Sequence, residues 1–166
     1  MTTERVLLAA GCFWGVQAYF DQVPGVVATT VGYSGGHTEN PTYEEVCSHT
    51  TGHAETTEVV FDPAKISYRD ILRHFFRMHD PTQVDGQGPD IGDSYRSAIF
   101  YQDDTQRKTA EQARQAAQRA FTKPIVTEIT KAGPFYKAEE YHQKFFEKTG
   151  RGGCHVPYAP LEATRD

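Results

Sequence analysis

Short β-branched or apolar stretches recur along this chain at 5–10, 26–33, Ala54–Phe61, 95–101 and 125–129, and helical patterns fill most of the intervals between them. That alternation limits the chain to an α/β arrangement, a mixed sheet with helices packed on it. The first helix is expected to start at Cys12 or Phe13. Val16, Tyr19, Phe20 and Val23 then fall on one helical face, and Pro24-Gly25 ends it. A turn and a short helix are expected over 40–46. Ser67 caps the next helix, with Asp70 as a capping-box partner and Ile71, Leu72, Phe75 and Phe76 on its apolar face. A helix over 103–121 carries Ala110, Ala113, Ala117 and Ala120 on one stripe, and a last one near 138–148 carries Tyr141 and Phe145. Residues 79–93 read as a long Gly-, Pro- and Asp-rich loop, a type often reserved for function.

The 166 residues fit one domain with one core, spanning about 5–148, and a Gly- and Pro-rich tail from 149 to 166. Net charge is -5 and no basic block is present, which argues against nucleic acid as a partner. No apolar run approaches the roughly 20 residues that cross a membrane. The run 6–11 is too short for a secretory signal, and "LAAGC" lacks the hydrophobic region that a lipoprotein signal needs. Three cysteines, an odd number, suit a reducing compartment, so a cytoplasmic location is expected. A monomer is expected as well.

Cys12 follows a strand and opens a helix, between Gly11 and the aromatic pair Phe13-Trp14. Backbone N–H groups and the positive end of a helix favour thiolate there, so the placement points to a reactive thiol rather than a buried structural one. Cys154 sits in "GRGGCHVPY", where the glycines would let it approach a second thiol. An idle tail thiol fits that pattern equally well. Cys47, near the end of a short helix, reads as packing. Cys47, His49 and His53 have a spacing that matches no standard zinc pattern.

The period-two phase of 54–61 groups Glu55 with Thr57, Val59 and Phe61. If that face is buried, Glu55 keeps its proton near neutrality and serves as a general acid; if the strand end is exposed, it is a solvated carboxylate. Tyr43 and Tyr95 lie near Gly- or Pro-rich turns and suit either hydrogen-bond donation to a developing oxyanion or the edge of a core. Asp90 reads as a solvated loop acid. Phe13 and Trp14 suit a core or an apolar pocket. A cysteine acyl-transferase with His53 or His142 as base is a rival reading of the same residues.

Taken together, "GCFWG" (11–15), "VGYSGG" (31–36), "NPTYEEVC" (40–47), "TGHAE" (51–55), "HDPT" (79–82) and "YRSAI" (95–99) resemble the peptide methionine sulfoxide reductase A family. The resemblance implies a two-layer α/β sandwich on a ferredoxin-like core. It implies that Cys12 is the nucleophile and that Phe13 and Trp14 take the substrate S-methyl group. Glu55 would protonate the sulfoxide oxygen, Tyr43 and Tyr95 would donate to it, and Asp90 would assist. Cys47 matches a family cysteine without a catalytic role. Cys154 is the resolving candidate, with the disulfide recycled by thioredoxin or another dithiol and no metal or organic cofactor. The substrate implied is the S epimer of methionine sulfoxide, in proteins or free. The chain departs from the family in "GDS" (92–94), where many members have "GTQ", and in Ser34, where Ala is usual.

Overall fold

The computed structural model describes residues 2–150 together with Tyr158, Ala159 and Leu161, and Cys154 lies outside them. The order of elements is β1 (Glu4–Ala10), α1 (Phe13–Phe20), β2 (Val26–Ser34), α2 (Tyr43–Cys47), β3 (Ala54–Phe61) and α3 (Tyr68–Met78). Two short strands, β4 (Gly86–Gln87) and β5 (Asp90–Ile91), follow. Then come β6 (Ser97–Tyr101), α4 (Asp104–Ala117), β7 (Glu128–Lys131), β8 (Phe135–Lys137) and α5 (Phe145–Thr149). The main sheet runs β7-β6-β1-β3-β2-β8. Only the β6–β7 pairing in it is parallel, so the sheet is mixed, as the strand–helix alternation implies.

The inner four strands, in the order β6-β1-β3-β2, and the crossovers through α1 and α3 form the ferredoxin-like core. Strand β1 is central and buried on both faces, which is why it reads as an unbroken apolar run. Its Val6, Leu8 and Ala10 join Val59, Phe61 and Ile99 under Val16 and Phe20 of α1, Phe75 of α3 and Ala110 of α4. Leu7 and Ala9 point the other way, with Ala98 and Phe100, against Ala132 and Phe135. Burial of this kind contributes roughly 1.5–3 kcal/mol for each large apolar side chain.

Several local expectations shift. Ser67 Oγ accepts from Asp70 N at 3.0 Å, but the Asp70 carboxylate turns to Arg73 at 3.2 Å, so the reciprocal cap is replaced by an ion pair. The loop 79–93 contains the β4–β5 hairpin. Tyr95 is not in a strand: it ends a 3-10 turn, Asp93–Tyr95, and β6 starts at Ser97. The strand expected at 125–129 lies at Glu128–Lys131, because Ile125 N and Val126 N bond Gln118 and Pro81 instead of a strand. Phe135–Lys137 forms an edge strand that periodicity did not disclose. The helix expected at 138–148 breaks into a 3-10 turn, Glu140–His142, and α5. Lys144 adopts φ 58 at the break, where its N–H donates to Gln17 Oε1 at 2.7 Å and its Nζ pairs with Asp21 at 2.7 Å. Tyr141 is then 57% exposed rather than on a buried face. On α4, Ala110 and Ala113 are buried, but the α-helix ends at Ala117 and the exposed Ala120 lies in the 3-10 turn Gln118–Ala120 that follows.

Candidate active site

Gly11 turns the chain off the end of β1 at φ 88, a conformation that costs glycine little. The turn delivers Cys12 to the N-cap of α1, half-buried, with no cap bond made by its side chain. The first backbone N–H of that helix, from Phe13, donates instead to Glu55 Oε1 at 3.1 Å. One helix start therefore positions both the thiol and the carboxyl. Unsatisfied first-turn N–H groups and the helix dipole favour negative charge at Cys12.

Glu55 enters from β3, paired across the sheet with Tyr33. The inward phase holds, since Glu55, Thr57, Val59 and Phe61 are all buried and Glu55 is only 2% exposed. The exposed strand-end alternative is thereby removed. Burial pushes the Glu55 carboxyl up to about 8, the Phe13 N–H opposes that, and the charge of Asp90 adds to it. Oε2 is buried with no hydrogen-bond partner among the described residues. Asp90, half-buried opposite Gln87 in the β4–β5 hairpin, thus lies near enough for its charge to act on Glu55 and on Tyr95.

Tyr43 is the first residue of α2. Thr42 and Glu45 fix that helix through a complete capping box. Tyr95 arrives from the opposite side, after Gly92 at φ 138. Burial chiefly, and then the charge of Glu55, push both phenols far above their ordinary range, so both remain hydrogen-bond donors. Burial chiefly pushes the nearby Cys47 thiol up, and both phenols are close enough to act on it. The structure brings Cys12, Glu55, Tyr43, Tyr95 and Asp90 into one electrostatic neighbourhood: the Glu55 charge acts on both phenols, and Cys12 acts on Tyr95.

Phe13 and Trp14 form the apolar wall. Phe13 is fully buried, with ring centroids 5.7 Å from Tyr33 and 6.4 Å from Tyr43. Trp14 stacks on Phe145 at 3.8 Å and donates from Nε1 to His142 Nδ1 at 2.9 Å. Glu139 is a neighbour of these residues that the sequence did not disclose, and His142 stood there only as the base of the rival acyl-transferase reading. Burial chiefly lowers His142, which stays neutral with Nδ1 as the acceptor that fixes the Trp14 ring. Glu139 accepts from Tyr33 Oη at 2.9 Å and from Tyr43 N at 3.1 Å. Burial works against its charge, but its own N–H, the Tyr43 N–H and the Tyr33 hydroxyl outweigh that and hold its carboxyl below the usual range. These contacts link residues about a hundred positions apart, so no local pattern announces them.

The rival readings fit these surroundings poorly. His53 Nδ1 accepts from Gly36 N at 3.0 Å and its Nε2 contacts Thr38 O at 2.7 Å, while His142 Nδ1 is taken by Trp14. Neither imidazole is placed as a base for Cys12. Among the described residues no group of three His, Cys, Asp or Glu side chains is arranged for a metal.

A helix-start thiol, a carboxyl that keeps its proton and two hydroxyl donors beside an aromatic wall suit chemistry on an oxygen carried by an apolar sulfur group. The fold and site define a thiol-dependent oxidoreductase. Comparison with known proteins agrees. The family model described as "Peptide methionine sulfoxide reductase" matches residues 4–165. The chain is 54% identical over 153 residues to the peptide methionine sulfoxide reductase MsrA of Geobacter sulfurreducens, covering 91% of this chain and 94% of that one. Mxr1 from Saccharomyces cerevisiae in reduced form superposes with a TM-score of 0.89 at 33% identity, over 95% of this chain and 93% of that one. Mxr1 in complex with Trx2 superposes with a TM-score of 0.63 at 25% identity, over 86% and 84%. The chain belongs to the peptide methionine sulfoxide reductase family. No helix among its described residues is long and apolar enough to cross a membrane.

Proposed function

We propose that this single catalytic domain reduces the S epimer of methionine sulfoxide, in proteins or free, through Cys12 and Glu55. The sulfoxide S-methyl group lies against Phe13 and Trp14. Tyr43 and Tyr95 donate hydrogen bonds to the oxygen, and Glu55 gives it a proton, assisted by the Asp90 charge that keeps that proton in place. The Cys12 thiolate attacks the sulfoxide sulfur. The S–O bond breaks, methionine leaves, and the oxygen ends on Cys12 as a sulfenic acid. Cys154 then attacks Cys12, water leaves, and a Cys12–Cys154 disulfide forms. An external dithiol, thioredoxin in this reading, takes up that oxidation by exchange. Electrons come from thiols at every step, so the scheme calls for no metal ion or organic cofactor.

The observation that carries this reading is the shared helix start, where the Phe13 N–H fixes Glu55 beside Cys12. The workable state has Cys12 ionised and Glu55 protonated. The helix terminus favours the first and burial the second, and the two titrations are coupled. The thioredoxin step draws support from the relative crystallised with Trx2. The enzyme is taken to act as a cytoplasmic monomer.

The test is a single turnover with methionine sulfoxide and no reductant. One methionine per enzyme and a Cys12–Cys154 disulfide are expected. Methionine release from Cys12→Ser would refute the nucleophile. Full thioredoxin-driven turnover by Cys154→Ala would refute the resolving role.

A further inference from the structure

Tyr43 is carried by α2, a helix of only five residues. So short a helix is not stable alone, and its place on the sheet comes from tertiary contacts. The capping box of Thr42 and Glu45 fixes the shape of its first turn, not its position. Two contacts fix the position. Val46 is buried in a cluster with Phe13, Val31 and Tyr33. At the start of the helix, the Tyr43 N–H donates to Glu139 Oε2 at 3.1 Å. The other oxygen of Glu139, Oε1, accepts from Tyr33 Oη at 2.9 Å. Tyr33 is fully buried in β2 and stands opposite Glu55 across the sheet. The backbone around Glu139 is pinned to the same strand on both sides. Ala138 N donates to Val31 O at 2.9 Å. The Gln143 side chain accepts from Val31 N at 3.0 Å and donates to Val31 O at 2.9 Å.

We propose that Glu139 is a positioning residue of the reaction: its carboxylate ties Tyr43 to Tyr33 and so sets where the Tyr43 hydroxyl stands relative to Glu55. The inference rests on Tyr43 being a donor to the sulfoxide oxygen. A helix held by one apolar contact can pivot about it, and a second bond at Tyr43 itself stops that pivot. Tyr43 and Glu55 are then both referred to one rigid residue, Tyr33. The carboxylate makes the first link and the strand pairing makes the second. A hydrogen-bond donor and a proton donor have to converge on one oxygen, and an error of about 1 Å in such a geometry costs up to about 100-fold in rate. Glu139 itself touches neither substrate nor sulfur in this scheme. A carboxylate suits the task because it accepts from two donors at once. Glutamine can take its place, with its carbonyl accepting from the Tyr43 N–H and its amide donating to the Tyr33 hydroxyl. Alanine keeps neither bond.

The experiment is a single turnover with free methionine sulfoxide, reading the limiting rate of methionine release and the substrate concentration at half that rate. Glu139→Ala should lower the limiting rate about tenfold and move the half-saturating concentration by less than about twofold. Glu139→Gln should stay within about threefold of the wild type. In a Tyr43→Phe background no hydroxyl is left to place, so Glu139→Ala should cost less than about twofold more. A merely structural role would slow both backgrounds by the same factor, and that result overturns the proposal. So does a wild-type rate in Glu139→Ala, or a Glu139→Gln enzyme as slow as Glu139→Ala. If Glu139→Ala fails to fold, Tyr33→Phe keeps the buried ring, removes the other bond of the carboxylate, and is read against Tyr43→Phe in the same way. Tyr43→Phe by itself separates the two claims. A wild-type rate there removes the donor reading of Tyr43 and the positioning with it, whereas a slow Tyr43→Phe with additive losses overturns the positioning alone.

Discussion

Cys12 begins a helix and Cys47 ends one, and both lie near enough to Tyr95 for their charge to act on it. At Cys12 the chain turns through Gly11, and the first N–H groups of α1 face the sulfur end of the helix. At Cys47 the thiol sits at the carbonyl end of α2, where burial raises it near Tyr43 and Tyr95. The helix dipole favours thiolate at the first position and opposes it at the second. Nearness does not make two thiols equivalent. In the proposed reaction the helix end on which each stands suits Cys12, and not Cys47, to attack.

The largest effect should come from Cys12→Ser, which is expected to remove turnover with any reductant in a methionine-release assay. Cys47→Ala should leave the rate within about threefold, and a loss comparable to that of Cys12→Ser would break the contrast. Glu55→Gln comes second. Losing a positioned general acid should slow methionine release by roughly 10²–10⁴-fold in single turnover. In the wild type, release should decline as pH rises past about 8, where Glu55 loses its proton. Tyr43→Phe and Tyr95→Phe should each cost on the order of 10–100-fold in kcat, because in the proposed reaction each removes one of two donors to the same oxygen.

The same carboxyl makes a prediction about stability. Glu55 holds its proton more tightly when folded, near 8, than an ordinary glutamate carboxyl does, near 4.5. Its contribution is therefore fully present below about 4.5 and lost as pH rises through 8. Glu55→Gln cannot ionise, so its unfolding free energy should match the wild type at pH 4 and exceed it by a few kcal/mol at pH 9. Denaturant titrations at the two pH values check this. A constant difference would mean that Glu55 is not held protonated.

Much of this contrast was legible in the residues. Gly11-Cys12 between an apolar run and a helical face located the strand-to-helix turn. The period-two phase of β3 put Glu55 on the face with Val59 and Phe61, though it left open whether the strand end was covered. The cover comes from α1, whose Phe13 N–H meets Glu55 across 42 positions, and no local pattern encodes that. The same holds for Glu139 on Tyr43 and His142 on Trp14. The helix expected at 138–148 failed for a related reason. Lys144 gives up its helical conformation for bonds to Gln17 and Asp21, tertiary contacts that outweigh local propensity. Short segments whose backbone answers to distant partners, such as β8 and the Asp93–Tyr95 turn, were the ones misread.

The most direct measurement is chemical trapping of the sulfenic acid. Cys154→Ala, given one equivalent of methionine sulfoxide without reductant, is quenched with a sulfenic-acid-specific reagent and mapped by peptide mass spectrometry. The account predicts one adduct per enzyme, on Cys12, with Cys47 unmodified. An adduct on Cys47, or methionine release with Cys12 still a thiol, would contradict it.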